Sequence, residues 1–219
     1  MLPFLLTMIA LLVAITIHEC AHAWVADHLG DPTARLMGRV SLNPLVHLDP
    51  VGSVMMIITA LTGLGIGWGK PVPVSPHRLR YGPRLGNGLV ALAGPASNLL
   101  LAACLGILVY LGSTLLPSLA YFYYLSSFIV LTNVAIAVFN LLPFPPLDGY
   151  SVLIGLLSLS KGEWAWKLTQ YLIKLGQYGS MILIGLIVLS QFMGLDLLGR
   201  LIGPPIYFLY RLFLGIPAG

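Results

Sequence analysis

Four apolar runs set the terms for this chain. Leu2–Val25, Gly86–Gly112, Tyr121–Leu142 and Tyr171–Met193 each come close to or exceed the roughly 20 residues a helix needs to cross a bilayer. Hydrocarbon offers no water to backbone N–H and C=O groups, so runs of this kind predict helices that satisfy themselves. The rest of the chain cannot coat a soluble globule. Only 8% of the 219 residues are charged and the mean hydropathy is +0.94, whereas a soluble domain carries charge on roughly 25% of its residues. A soluble enzyme, a disordered chain and a nucleic-acid binder are excluded. The net charge of +4 reports loop charges beside a membrane. Met1 leads into the first run without a basic n-region, which predicts a retained span and not a removed signal.

The segments between the runs are less regular. Ala34, Leu36, Val40 and Leu42 alternate with Arg35, Met37, Arg39 and Ser41, a period of two that predicts a strand at the membrane surface. Lys70–Val74 reads as an extended edge strand, because Pro71 and Pro73 cannot donate to a ladder. Val51–Trp68 is apolar but interrupted by Gly52, Gly63, Gly65 and Gly67, so it spans or re-enters. Tyr150–Leu159 is too short to cross, and Leu197–Leu214 is a weaker span interrupted by Arg200, Pro204, Pro205 and Arg211. The expected fold class is a membrane all-α protein: a polytopic helical bundle of about five to six membrane segments with a small β-strand element at the surface. Cys20 and Cys104 lie in apolar runs and read as small buried hydrophobes, with no disulfide framework.

Inside the first run stands His18–Glu19–Cys20–Ala21–His22. On a helix, positions i and i+4 lie about 40° apart around the axis and roughly 6 Å apart along it, so two imidazoles share one face and can hold one metal. Glu19 sits about 100° round from His18, beside that metal, where a carboxylate can take a proton from water and pass it to a leaving amine. Ionisable groups in a span cost several kcal/mol, about 2.5–3.5 for a charge at its centre, and are functional by default.

A catalytic zinc takes a third protein ligand. His28 has a tempting spacing, but Val25 stands where a turn-making glycine would be required. On a continuous helix His28 lies about 9 Å further along the axis than His22, out of reach. His47 and His77 lie in polar loops and read as surface histidines. Asp148 is the better candidate: prolines at 143, 145 and 146 unwind the preceding span and Gly149 follows it. It also reads as an N-cap for Tyr150–Leu159, and spacing alone leaves both readings open.

Three motifs in order now carry a resemblance. His18–Glu19–x–x–His22, Ala93–Gly94–Pro95–x–x–Asn98, and Asn140–x–x–Pro143 followed by Leu147–Asp148–Gly149 resemble the site-2 proteases, which are intramembrane zinc metalloproteases. Asn43–Pro44, His47–Leu48–Asp49–Pro50–Val51–Gly52 and Gly67–Trp68–Gly69–Lys70–Pro71–Val72–Pro73–Val74 are similar to that family's compact members. The resemblance implies one zinc per chain held by His18, His22 and Asp148, with Glu19 as catalytic acid and base and Asn140 orienting or polarising substrate. It implies a metalloprotease core over residues 1–155, followed by C-terminal membrane helices over 156–219. Many relatives carry a PDZ or regulatory domain; this chain has neither, so regulation would come from a separate protein. The expected partners are transmembrane protein substrates and the bilayer, with no nucleic acid, in a prokaryotic cell membrane.

Topology constrains the reading further. His18 lies near the far end of the first helix and Asp148 just past the exit of Tyr121–Leu142, so the two must reach the same face. Lys70, Arg78, Arg80 and Arg84, with no acids among them, predict a cytoplasmic loop. Both requirements agree only if Val51–Trp68 re-enters, with the amino terminus outside and the site towards the cytoplasm. Two other readings remain: a metal-ion transporter using the same His and Asp side chains in transit, and a non-catalytic membrane scaffold. Neither accounts for Glu19 directly following His18.

Overall fold

In the computed structural model, residues 2–62, 67–192 and 196–216 are described. The described residues are mostly helical. α1 (Leu2–His28) continues through the whole His–Glu–x–x–His segment. A four-residue helix, α2 (Thr33–Leu36), and α3 (Pro50–Thr62) follow. α4 (Leu85–Leu115) is the longest element, and α5 (Ala120–Asn140) runs back beside it. The chain closes with α6 (Asp148–Leu157), α7 (Glu163–Gly176), α8 (Gly179–Phe192) and α9 (Leu197–Leu214). α4 is the hub, packing against α1, α5, α6 and α9.

Polarity is arranged inside out. Leu100, Leu115 and Tyr121 are 66%, 75% and 87% exposed, a surface that suits hydrocarbon and not water. Thr16, His18, His22, Asn98, Ser126 and Asn133 are buried. Ala10, Ala14, Ala23, Ala102 and Ala137 are wholly buried too; such small side chains let helices approach closely, which is how helices associate where no hydrophobic force drives them. Four helical stretches among the described residues are long and apolar enough to cross a membrane: Leu2–His28, Leu85–Ser113, Pro117–Asn140 and Leu197–Leu214.

Several expectations need correction. The described residues form no strand. Residues 33–36 are helical, and the Gly38 and Arg39 N–H groups donate back to Arg35 O and Ala34 O. The alternation from 34 to 42 was a coincidence of composition: Ala34 and Arg39 are both buried, while Leu36, Met37 and Leu42 are exposed. Residues 70–74 form no strand, and beside them stands only an isolated antiparallel bridge, Leu48 to Gly69, with Lys70 N–H donating to His47 O at 2.7 Å. Of the five to six membrane segments expected, four stretches among the described residues are long and apolar enough to cross, and Pro50–Leu61 and Asp148–Leu157 are shorter apolar helices. Tyr171–Met193 is not one helix: it breaks between α7 and α8. A Cβ on Gly176 would lie 2.5 Å from the Tyr150 hydroxyl, and one on Gly179 would lie 2.4 Å from Pro145. The chain bends there because both positions press against α6 and the proline segment before it. Conversely, Leu197–Leu214 is continuous despite Pro204 and Pro205.

α3 has 13 residues, about 20 Å of helix, which is short of the ~30 Å hydrocarbon thickness. After it the chain doubles back. A Cβ on Gly67 would strike Met56, and one on Gly52 would lie 2.1 Å from Trp68 O. The glycines noted at 63 and 65 fall outside the described residues.

One buried acid ties the end of α1 to this returning segment. Asp31 accepts hydrogen bonds from Ser75 N–H at 2.5 Å, from the Thr33 hydroxyl at 2.5 Å and from Thr33 N–H at 3.2 Å. Burial pushes its carboxyl up, but those donors and the nearby Arg78 charge outweigh it and hold the group below the usual carboxylate range.

Candidate metal centre

The second half of α1 turns its His–Glu–x–x–His face into the protein. His18 and His22 are one turn apart and both buried, with ring centroids 4.6 Å apart. Asp148 arrives from α6. Its Oδ2 lies 3.0 Å from His18 Nε2 and 3.3 Å from His22 Nε2. The three donor atoms all lie within 4.8 Å of one another.

The far side of each imidazole is already committed. His18 Nδ1 lies 2.6 Å from Asn98 Oδ1. That oxygen can only accept, because the Asn98 amide nitrogen donates to Ala14 O at 3.0 Å and to Asn133 Oδ1 at 2.7 Å. His22 Nδ1 lies 2.7 Å from Val90 O, a carbonyl that likewise only accepts. Both rings therefore carry their proton on Nδ1, and in the neutral form each turns an Nε2 lone pair towards Asp148. Two lone pairs and a carboxylate oxygen repel one another in a buried space. Asp148 Oδ2 is buried and has no hydrogen-bond partner. A cation between the three atoms would relieve that repulsion, and two imidazole nitrogens with one carboxylate oxygen suit zinc.

α4 is shaped to fit this cluster. A Cβ on Gly94 would lie 2.4 Å from His22 Nε2 and 2.7 Å from His18 Cε1, so only a glycine lets α4 pass so close. Pro95 has no N–H to give to Ala91 O, and on the preceding residue Val90 O accepts from His22 Nδ1. Gly149 has a similar role beside Asp148: a Cβ there would lie 2.2 Å from Leu141 O. The two readings of Asp148 can be compared with its geometry. Leu147 occupies the N-cap, Asp148 is the first residue of α6, and no side-chain capping bond is made.

Glu19 is half-buried and points under the returning segment, with its Oε1 3.1 Å from where a Gly69 Cβ would stand. Asn140 ends α5, and its amide donates to Ile136 O of its own helix at 3.0 Å. His28 is exposed, its Nδ1 2.9 Å from Trp24 O, and His77 is exposed in its loop. His47 was expected at the surface. It is wholly buried, and its Nε2 donates to Ser41 O at 2.7 Å, because its single 3-10 turn packs onto α1. Arg39 is only 4% exposed. Its guanidinium donates to the carbonyls of Lys70 and Pro71, clamping the returning segment from the side.

Sequence reasoning gave no role to Asn98, Asn133, Val90 or Arg39. Asn133 carried a readable signal: it is a lone amide deep in an apolar run, and polar side chains in spans have reasons to be there. A backbone carbonyl such as Val90 O carries none.

The fold and this buried cluster define a helical membrane protein built round three side chains that could hold a metal ion. Residues 6–184 match the model of peptidase family M50. YwhC of Bacillus subtilis, provisionally named a zinc metalloprotease, is 42% identical over a stretch covering 70% of this chain and 68% of YwhC. Rip2 of Mycolicibacterium smegmatis, named in the same way, is 36% identical over 68% of this chain and 56% of Rip2. The Mycobacterium tuberculosis Rip2 is 34% identical over the same shares. No solved structure matches. The chain belongs to peptidase family M50, the site-2 protease family, and is a membrane metalloprotease.

Proposed function

We propose that this chain hydrolyses peptide bonds of transmembrane substrates within the membrane, using one zinc held by His18 Nε2, His22 Nε2 and Asp148 Oδ2. The observation that carries the reading is the meeting of those three atoms within 4.8 Å, with both Nδ1 positions spent on acceptors and Asp148 Oδ2 left without a donor. Zinc there supplies Lewis acidity, bringing the ionisation of water near neutral pH and polarising a peptide carbonyl.

The chain's own residues do the rest. Glu19, next to His18 but outside the ligand set, takes the proton of the attacking water on its carboxylate. It then delivers that proton to the leaving amine nitrogen. Asn140 turns its amide from Ile136 O to the substrate carbonyl oxygen and orients it. Gly69 stands beside Glu19, and an unwound substrate lying along this returning segment would bring its backbone to that carboxylate. Arg39 holds this stretch in place through two of its carbonyls. The amino terminus faces outside, α3 enters and returns, and the site opens towards the cytoplasm beside Lys70, Arg78, Arg80 and Arg84.

Replacing Glu19 with Gln tests the reading. The purified variant should keep wild-type zinc content and lose cleavage of a model transmembrane substrate, by at least about 100-fold for a general acid–base group. Normal cleavage by Glu19→Gln would remove the proposed mechanism. A transporter would instead carry zinc across a vesicle membrane, and a scaffold would be indifferent to the substitution.

A further inference from the structure

Asn133 takes no part in the mechanism above, yet it is wholly buried in the middle of α5. Its amide nitrogen donates to Ile129 O at 2.9 Å, which turns its Oδ1 towards α4. That Oδ1 accepts from Asn98 Nδ2 at 2.7 Å, and the second hydrogen of Asn98 Nδ2 goes to Ala14 O at 3.0 Å. With both amide hydrogens used, Asn98 can face His18 only with its Oδ1, at 2.6 Å from Nδ1. Backbone carbonyls on α5 and α1 thus fix the sense of two amides in series, and the amides fix the imidazole.

We infer that Asn133 is a positioning residue for the metal site, acting through Asn98 to hold the proton of His18 on Nδ1 and keep its Nε2 lone pair free for the metal. The inference rests on the metal reading proposed above and adds residues to it. It follows from hydrogen-bond bookkeeping in a place without water. Removing the Asn133 acceptor leaves one Asn98 N–H buried and unpaired, a state the surroundings cannot relieve. The relief available is rotation of the Asn98 amide, which takes Oδ1 off His18. A ring that loses its Nδ1–H acceptor is free to move its proton to Nε2, the atom the metal needs. Outer hydrogen-bond partners of metal-ligating histidines change metal affinity by roughly 10- to 100-fold when removed.

The experiment is a set of zinc titrations of the full chain in lipid nanodiscs, by competition with a chromogenic chelator. Asn133→Leu should weaken zinc binding about 10- to 100-fold. Asn133→Asp should stay within about threefold, since a neutral carboxyl keeps both the C=O acceptor and a donor for Ile129 O. Asn98→Ala should match Asn133→Leu, and the double variant should be no weaker than Asn98→Ala alone, because the two act in series. Wild-type affinity in Asn133→Leu, or losses that multiply in the double variant, would overturn the inference. If Asn133→Leu does not fold, nitrogen-15 spectra of metal-free wild-type protein decide, with His18 assigned by its loss in His18→Gln. A proton on Nδ1 is required, and one on Nε2 refutes the relay. Wild-type protein with no zinc affinity would sink the metal reading itself, and the same nitrogen spectra on the metal-free protein would then judge the relay.

Discussion

Gly94→Ala is the most telling substitution the structure suggests. A methyl at this position would lie 2.4 Å from His22 Nε2, 2.6 Å from His22 Cε1 and 2.7 Å from His18 Cε1. Ordinary contacts of this kind sit at about 3.5–4.0 Å, so three atoms overlap by roughly 1 Å. Something must yield. α4 is wedged among α1, α5, α6 and α9, so the side chains that can move are the two imidazoles. Overpacking of a tight interior costs about 1–3 kcal/mol. If the metal site absorbs it all, zinc binding weakens roughly 5- to 140-fold at 1.4 kcal/mol per decade. The helix itself should not suffer, since alanine is a better helix former than glycine by about 1 kcal/mol. Gly185→Ala on α8 is the control, because nothing lies within 4 Å of its added methyl. Chelator competition gives the zinc affinity, and cleavage of a model transmembrane substrate gives the activity. The expected outcome is a well-folded Gly94→Ala protein with weakened zinc and little turnover, beside a Gly185→Ala protein like wild type. Unchanged zinc affinity in Gly94→Ala would show that the metal, if any, does not sit between those rings.

Three further outcomes are expected. Asp148→Asn and Asp148→Ser should lower zinc occupancy at least about tenfold while stability changes by less than about 1 kcal/mol, since Asp148 makes no capping bond that they would lose; wild-type zinc content in either would remove Asp148 from the ligand set. Met37→Cys and Arg80→Cys, with the native Cys20 and Cys104 replaced by Ser, should label from the same side of sealed vesicles, and opposite sidedness would show that α3 and the segment after it cross fully. Because the Asp31 carboxyl is held below its ordinary value in the folded chain, its tether is fully present above the unfolded value of about 3.9 and is lost as pH falls through the folded one. Protection of the Ser75 amide hydrogen, the slowing of its exchange relative to an unstructured chain at the same pH, should therefore fall as the pH is lowered below about 4, less so in Asp31→Asn, and acid-insensitive protection would contradict this.

How much of this was readable in the sequence depended on the range of the interactions. The His18–Glu19–x–x–His22 face was legible because helix geometry is local. The α4 and α5 runs were legible because hydrocarbon leaves an apolar chain little choice. Residues 34–42 were misread because four helical residues and a turn bury Ala34 and Arg39 against neighbours the pattern does not contain. The break near Gln177 depends on Tyr150 and Pro145, more than twenty residues earlier in the chain. Spacing leaves Asp148 between cap and ligand, because its missing capping bond and its approach to the two imidazoles depend on how α6 packs against α1. The Asn133–Asn98 relay joins α5 to α4, and no spacing rule connects such positions.

The unequal support of the three donor atoms bears on how a metal would leave. Each imidazole is gripped from behind by an acceptor on α4, whereas Asp148 Oδ2 is held by no hydrogen bond. The histidines form a standing fork and the carboxylate is its detachable tine. Chelation should begin at α6: Asp148 swings off first, and the two rings keep their orientation after the ion has gone. Reloading then needs one side chain to find its place, with no repacking of the membrane helices.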